Sequence, residues 1–165
     1  MKTDVVYYNF TSSGISLQFS PDPSYKPPRT ASKRSDLDES KLSLPTLDIY
    51  VDKFEAFPLH LTYLPPSDPA SSSSEPPSSA TCEITASSTG RELVEKLGEP
   101  DRKGGGESKA VGVWLEWTGL GVMCEFSSIH GAGKWDKERG AGSAQVGVWS
   151  FFEPGHDAGK ATDDD

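Results

Sequence analysis

The apolar positions of this chain come in short bursts separated by long polar stretches. Of its aromatic residues, only Tyr25 and Trp135 lie outside five segments: 4–20, 44–64, 81–102, 110–127 and 145–153. Within these segments the dominant period is two. Residues 5–10 are β-branched and aromatic, 15–19 alternate strictly, and 47–51 and 59–63 alternate again, which predicts strands with one apolar face each. Thr11-Ser12-Ser13-Gly14 is a turn between the first two. Pro58 precedes the fourth run and Pro65-Pro66 closes it, as prolines confined to strand ends do. One stretch changes period. Thr89 and Glu92 have the spacing of a capping box, Leu93, Val94 and Leu97 form one apolar stripe, and Gly98 and Pro100 end the run, which predicts a short helix over 89–98. Two to three turns do not stand alone in water, so the stripe is expected to lie on a sheet.

The pattern also repeats. Shifted by 107 positions, Val6 meets Val113, Tyr7 meets Trp114, Phe10 meets Trp117, Gly14 meets Gly121, Ile15 meets Val122 and Phe19 meets Phe126, with no gap across both strands and the turn. Each copy is followed by a further strand, 47–51 in the first and 146–152 in the second. The fold class expected is therefore α+β: a mainly antiparallel sheet of seven or eight strands, made of two related three-stranded meanders with one short helix packed on it. A single domain is expected over 1–153, with a half-unit at 4–64 and a full unit at 81–153. The half-unit has no counterpart of the strand and helix at 82–97. Its sheet face then needs a cover from the other unit, a second copy of the chain or a partner.

Composition adjusts this picture. Leu, Ile, Val and Phe make up only 32 of 165 residues, while Gly, Pro and Ser make up 52. The low apolar content is concentrated in the stretches at about 21–41, 65–80, 103–109 and 128–144, read as disordered loops, and in an acidic tail at 154–165. The net charge of −9 argues against a nucleic-acid partner, which requires a basic surface. No apolar run is long enough for a membrane span. Met1-Lys2-Thr3-Asp4 is followed by no apolar signal region, so a cytoplasmic location is expected. Two cysteines make neither a disulfide framework nor a zinc cluster, and Cys82 and Cys124 are read as buried, inert thiols.

Few residues suggest chemistry. Gly131-Ala132-Gly133-Lys134 resembles part of a phosphate loop, but Ser128 and Trp135 stand where that motif needs Gly and Ser/Thr. His60, His130 and His156 have no metal-ligand spacing, and His60 is expected on the solvent side of its strand. Arg102 and Lys103, followed by three glycines, are a candidate anion or partner contact with peripheral phosphoinositide binding as one outcome; a solvated loop is the plainer reading. Trp114 and Trp117 join them as candidate contact residues: they are an odd number apart, so they cannot share a face, and one of the pair is expected at the surface, as part of a contact patch, or under the helix. The basic, hydroxyl-bearing stretch 29–35 could accept phosphate. No cofactor and no catalytic residue is indicated.

Leu97-Gly98-Glu99-Pro100, followed by Trp114 to Trp117, Gly121 and Phe126, and matched in the first copy by Asp4, Tyr7, Asn9, Phe10, Gly14, Ile15 and Phe19, resembles the repeat units of the eukaryotic phagosome assembly factor family. A more distant similarity is to the small helix-plus-sheet domains of bacterial outer-membrane assembly lipoproteins and β-lactamase-inhibitor proteins. The resemblance covers roughly half the chain. It implies a non-enzymatic adaptor in autophagy or membrane traffic, acting with a phosphoinositide-reading partner. The function expected is thus a non-catalytic intracellular interaction module with an unknown protein partner or self-association. The alternative is a small-ligand or lipid-headgroup binder that uses the aromatic sheet face.

Overall fold

The computed structural model describes residues 5–31, 33–63, 79–105, 112–126 and 142–155. The first apolar run becomes strand β1 (Val6–Phe10) and the alternating run after the turn becomes β2 (Ile15–Pro21). There follow β3 (Leu42–Tyr50), β4 (Leu59–Tyr63), β5 (Ala80–Ile84), α1 (Gly90–Leu97), β6 (Arg102–Gly104), β7 (Trp114–Trp117), β8 (Val122–Phe126) and β9 (Val146–Phe152). Seven strands form one antiparallel sheet in the order β1-β2-β3-β9-β8-β7-β6. The fold is α+β and mainly antiparallel.

Register explains where the core lies. Ile15, Ile49, Trp149, Cys124 and Leu115 stand opposite one another across five strands, and Leu17, Leu47, Phe151, Val122 and Trp117 form the next such row. Successive side chains alternate between faces, so residues two apart share one, and both rows project from the same side of the sheet. Over that side lie α1, through Leu93 and Leu97, and the β4–β5 ribbon, through Leu59, Leu61, Cys82 and Ile84. Trp149, Val122, Cys124 and Ile84 are wholly buried there.

The helix forms where the capping pattern predicts it. Thr89 N–H donates to Glu92 Oε2 at 2.9 Å, and Glu92 N–H donates to Thr89 Oγ1 at 3.4 Å. Two further amides of the first turn are met by the chain leading into β9: Gly90 N–H donates to Ala144 O at 3.3 Å and Arg91 N–H to Gly142 O at 2.9 Å. A Thr89→Ala variant is expected to lose about 1 kcal/mol. The check is the midpoint of urea unfolding; no shift would mean that the Gly142 and Ala144 carbonyls alone hold the helix start.

Three expectations change. Runs 59–63 and 82–84 are strands, but β4 and β5 pair with each other as a separate ribbon instead of joining the main sheet. Period two says that a strand has one apolar face; it does not name its hydrogen-bonded neighbour. Arg102–Gly104, read as part of a loop, is edge strand β6 beside β7. The 21–41 stretch is no plain loop either. It carries single 3-10 turns at Arg34–Asp36 and Glu39–Lys41. Tyr8 Oη donates to Glu39 Oε1 at 3.0 Å, Asp38 N–H donates to Tyr25 Oη at 2.9 Å, and Arg34 pairs with Glu39. Hydrogen bonding to Arg34 is the largest cause holding the Glu39 carboxyl below its ordinary value. These anchors come from side chains far apart in sequence, which composition does not register. The expected loops at 65–80, 103–109 and 128–144 lie mostly, and the tail at 154–165 almost wholly, outside the described residues.

Several pairings of the first hairpin recur in the hairpin of β7 and β8. Tyr8 faces Leu17 and Phe10 faces Ile15 in the first; Leu115 faces Cys124 and Trp117 faces Val122 in the second. The pairing slips after Gln18 in β2 and after Glu125 in β8. Tyr50 N–H donates to Gly14 O at 2.8 Å, and Phe152 N–H donates to Gly121 O at 2.9 Å. Gly14 and Gly121 have φ of 64° and 68°, a conformation that suits glycine. The centre of the sheet is the β3–β9 pair, where Asp48 stands opposite Ser150.

Candidate functional site

The side of the sheet turned away from α1 and the ribbon has no layer over it among the described residues. Its residues are the alternates of the core rows. One row runs Asn9, Ser16, Asp48, Ser150, Met123, Glu116, Arg102; a second runs Tyr50, Val148, Glu125, Trp114, Gly104. Strands β2, β3, β9 and β8 form a shallow trough of about 760 Å³ on this side, whose lining includes Gln18, Asp48, Tyr50, Glu125, Ser150 and Phe152. At its centre Ser150 Oγ donates to Asp48 Oδ1 at 2.7 Å. Tyr50 and Phe152 each lie two residues beyond this pair, on antiparallel strands, so they flank it from opposite ends. Glu125, on β8, lies two strand intervals across and two residues along from Asp48, which strand spacing puts at about 12 Å.

The four residues singled out from sequence do not form one site. Arg102 and Trp114 meet on the open face: the guanidinium lies 5.9 Å from the Trp114 ring centroid, and its Nη1 is 3.4 Å from Glu116 Oε1. Glu116 is buried and also accepts from Thr118 Oγ1 at 2.8 Å. The charge of Arg102 is thus matched within the chain. Trp117 belongs to the core, under the end of the helix, where its Nε1–H donates to Gly98 O at 2.9 Å. Lys103 is exposed on the other side of β6, beside Val94, Glu99, Pro100 and Leu115. The open-face residues Asp48, Tyr50, Glu125, Ser150 and Phe152 carry no motif. They come from three strands separated by up to about a hundred positions, and only the polar alternates of each strand hinted at an open side.

On the covered side, the first hairpin differs from its counterpart. Val6, Tyr8, Ile15, Leu17 and Phe19 are half-buried and Phe10 is exposed. None of the six belongs to the core or to the side chains packed on it. The matching positions of the second half lie under α1. The 21–41 segment reaches this surface through the Tyr8–Glu39 bond.

Both thiols are buried and free, and burial raises their pKa. Cys124 is pushed up to about 12 by desolvation. The consequence has a definite sign. Below the thiol's unfolded value, about 8.5, both states are protonated and stability is unaffected. Above it the unfolded chain loses a proton that the folded chain keeps, so stability falls as pH rises toward 12, by at most about 1.4 kcal/mol per pH unit. Urea unfolding at pH 7, 9 and 10 checks this, with Cys124→Ala expected to give a shallower slope; equal slopes would contradict it. Among the described residues no three His, Cys, Asp or Glu side chains gather to hold a metal ion, and no helix is long and apolar enough to cross a membrane. His60 is exposed on β4. His130, His156 and the Gly131–Lys134 stretch lie outside the described residues.

Compared with known proteins, the chain matches no family model, no curated protein and no solved structure.

Proposed function

We propose that the chain is a non-catalytic interaction module whose docking surface is the open face of the seven-stranded sheet. The observation that carries this reading is the trough over β2, β3, β9 and β8. One side of the sheet is covered by α1 and the ribbon except at the first hairpin, while the opposite side presents Tyr50 at 42% exposure beside Phe152, Met123 and two carboxylates. A broad, shallow surface of mixed aromatic and polar character suits a macromolecular contact. A small-molecule site encloses most of its ligand. The matched registers, bulges and turn bonds of the two halves support a sheet built from two related three-stranded meanders, the first without a helix of its own. The resemblance to phagosome assembly factor repeats supports an adaptor role in autophagy or membrane traffic.

The test is affinity capture with mass spectrometry, comparing the wild type with a Gln18→Arg/Thr46→Arg variant that fills the trough. Both side chains point to solvent, so the fold is expected to survive, which circular dichroism checks. The reading expects partners that the variant loses. An identical set of partners from both proteins would overturn it.

A further inference from the structure

The sheet already holds one arginine on its open face, and the way it does so points to what the rest of that face is built to hold. Arg102 is gripped by two things at once: the ring of Trp114 and the carboxylate of Glu116. Aromatic ring and carboxylate are the two groups that recognise a guanidinium, through cation–π attraction and charge-assisted hydrogen bonds. The trough repeats that combination. Asp48 and Glu125 supply carboxylates, and Tyr50 and Phe152 supply rings. Glu125 stands directly opposite Trp114 on β7, so the trough adjoins the Arg102 site. Among its described lining residues there is no Lys, Arg or His. Glu116 has its cation from within the chain; the carboxylates of the trough have none in their lining.

We infer that the trough receives a basic, arginine-bearing segment of a partner protein, with one cationic side chain at the Asp48–Tyr50 end and another at Glu125. This deepens the interaction reading and rests on it. The commitment to a cation follows from charge complementarity: the trough is acidic, and the chain carries a net charge of −9, which steers a basic segment toward it. About 12 Å between the two strand positions is the span of three to four residues in an extended segment, so two arginines that far apart reach both. Ser150 fixes the Asp48 carboxylate in place through its 2.7 Å hydrogen bond, which lowers the entropy lost on binding.

The experiment is a two-dimensional amide NMR titration of the full chain with three synthetic peptides: Gly-Arg repeats, Gly-Lys repeats and Gly-Glu repeats. The expected result is that the arginine peptide shifts amides of β3, β8 and β9 around Asp48, Glu125 and Ser150, more strongly than the lysine peptide, while the glutamate peptide shifts none. Added salt should weaken the effect. Asp48→Asn/Glu125→Gln, which keeps side-chain volume and an acceptor for Ser150, should raise the Kd at least tenfold with an unchanged free spectrum. Arginine-peptide shifts confined to the acidic 36–39 turn or to Asp163–Asp165, with the trough amides still, would overturn the inference. So would equal binding by the double variant. The interaction reading fails separately: if a captured partner is lost on filling the trough but is retained by Asp48→Asn/Glu125→Gln, the face is a docking surface and the cation is not its ligand. If filling the trough loses no partner, both fall.

Discussion

Trp149→Ala is expected to cost about 3–5 kcal/mol, the usual range for deleting a buried Trp, a large part of an ordinary total stability of about 5–15 kcal/mol. Trp149 has no exposure, and stands between Ile49 and Cys124 on β9, the central strand of the seven. Its ring stacks on Phe151 with centroids 6.3 Å apart. The ribbon and the helix both rest on the row it belongs to, so the cavity would open where three layers of side chains meet. Its Nε1–H donates to no acceptor among the described residues. Trp149→Phe therefore keeps aromatic volume at the site and removes a donor that gains nothing, and it is expected to cost well under half as much. Urea denaturation of the two variants checks both statements. Equal costs would show that the ring is not held as described.

Gly121→Ala is also expected to be strongly damaging. The residue turns β7 into β8 with φ of 68°, which costs a residue with a Cβ of order 1 kcal/mol. Space makes it worse. A Cβ at Gly121 would overlap the carbonyl oxygen of Phe152, which lies just behind the turn. The hydrogen bond from Phe152 N–H to Gly121 O would have to open, and with it the last rung at the end of β9. Together these put the loss at about 2–4 kcal/mol. Gly14→Ala meets the same problem less severely, since its Cβ would stand 2.8 Å from Tyr50 O and Phe54 N. Gly119→Ala, two positions away with open space around it, is expected to stay within about 0.5 kcal/mol of wild type. The three midpoints, in the order Gly121, Gly14, Gly119 from most to least damaging, check the account; a different order contradicts it.

Local signals in the chain were sufficient for the elements that obey local rules. The helix is legible because Thr89, Glu92, Leu93, Leu97, Gly98 and Pro100 each do a job that depends on near neighbours. The strands of both hairpins are legible because alternation is local too, and the burial of Cys82 and Cys124 follows from it. What escapes is whatever depends on a choice between distant partners. Nothing in Leu59–Tyr63 tells it to pair with Ala80–Ile84 and lie over the sheet instead of extending it. Arg102-Lys103-Gly104 looks like loop because its strand character is lent by β7 and by the Glu116 carboxylate. The 21–41 stretch looks disordered because one of its anchors, Tyr8, lies well before it and the other, Tyr25, is its only aromatic residue. The trough is assembled from β2, β3, β8 and β9, and each strand contributes only the alternates that its core-facing residues leave over.

The claim that the open face is the docking surface is tested most directly by hydroxyl-radical footprinting of the chain bound to its captured partner. Met123, Tyr50 and Phe152 on the open face are sensitive probes, and Phe10, exposed on the opposite side, is the internal comparison. The account expects the partner to protect Met123, Tyr50 and Phe152 and to leave the oxidation of Phe10 unchanged. Protection of Phe10, with Met123, Tyr50 and Phe152 oxidised as in the free chain, would place the contact on the helix-free face of the first hairpin and contradict it.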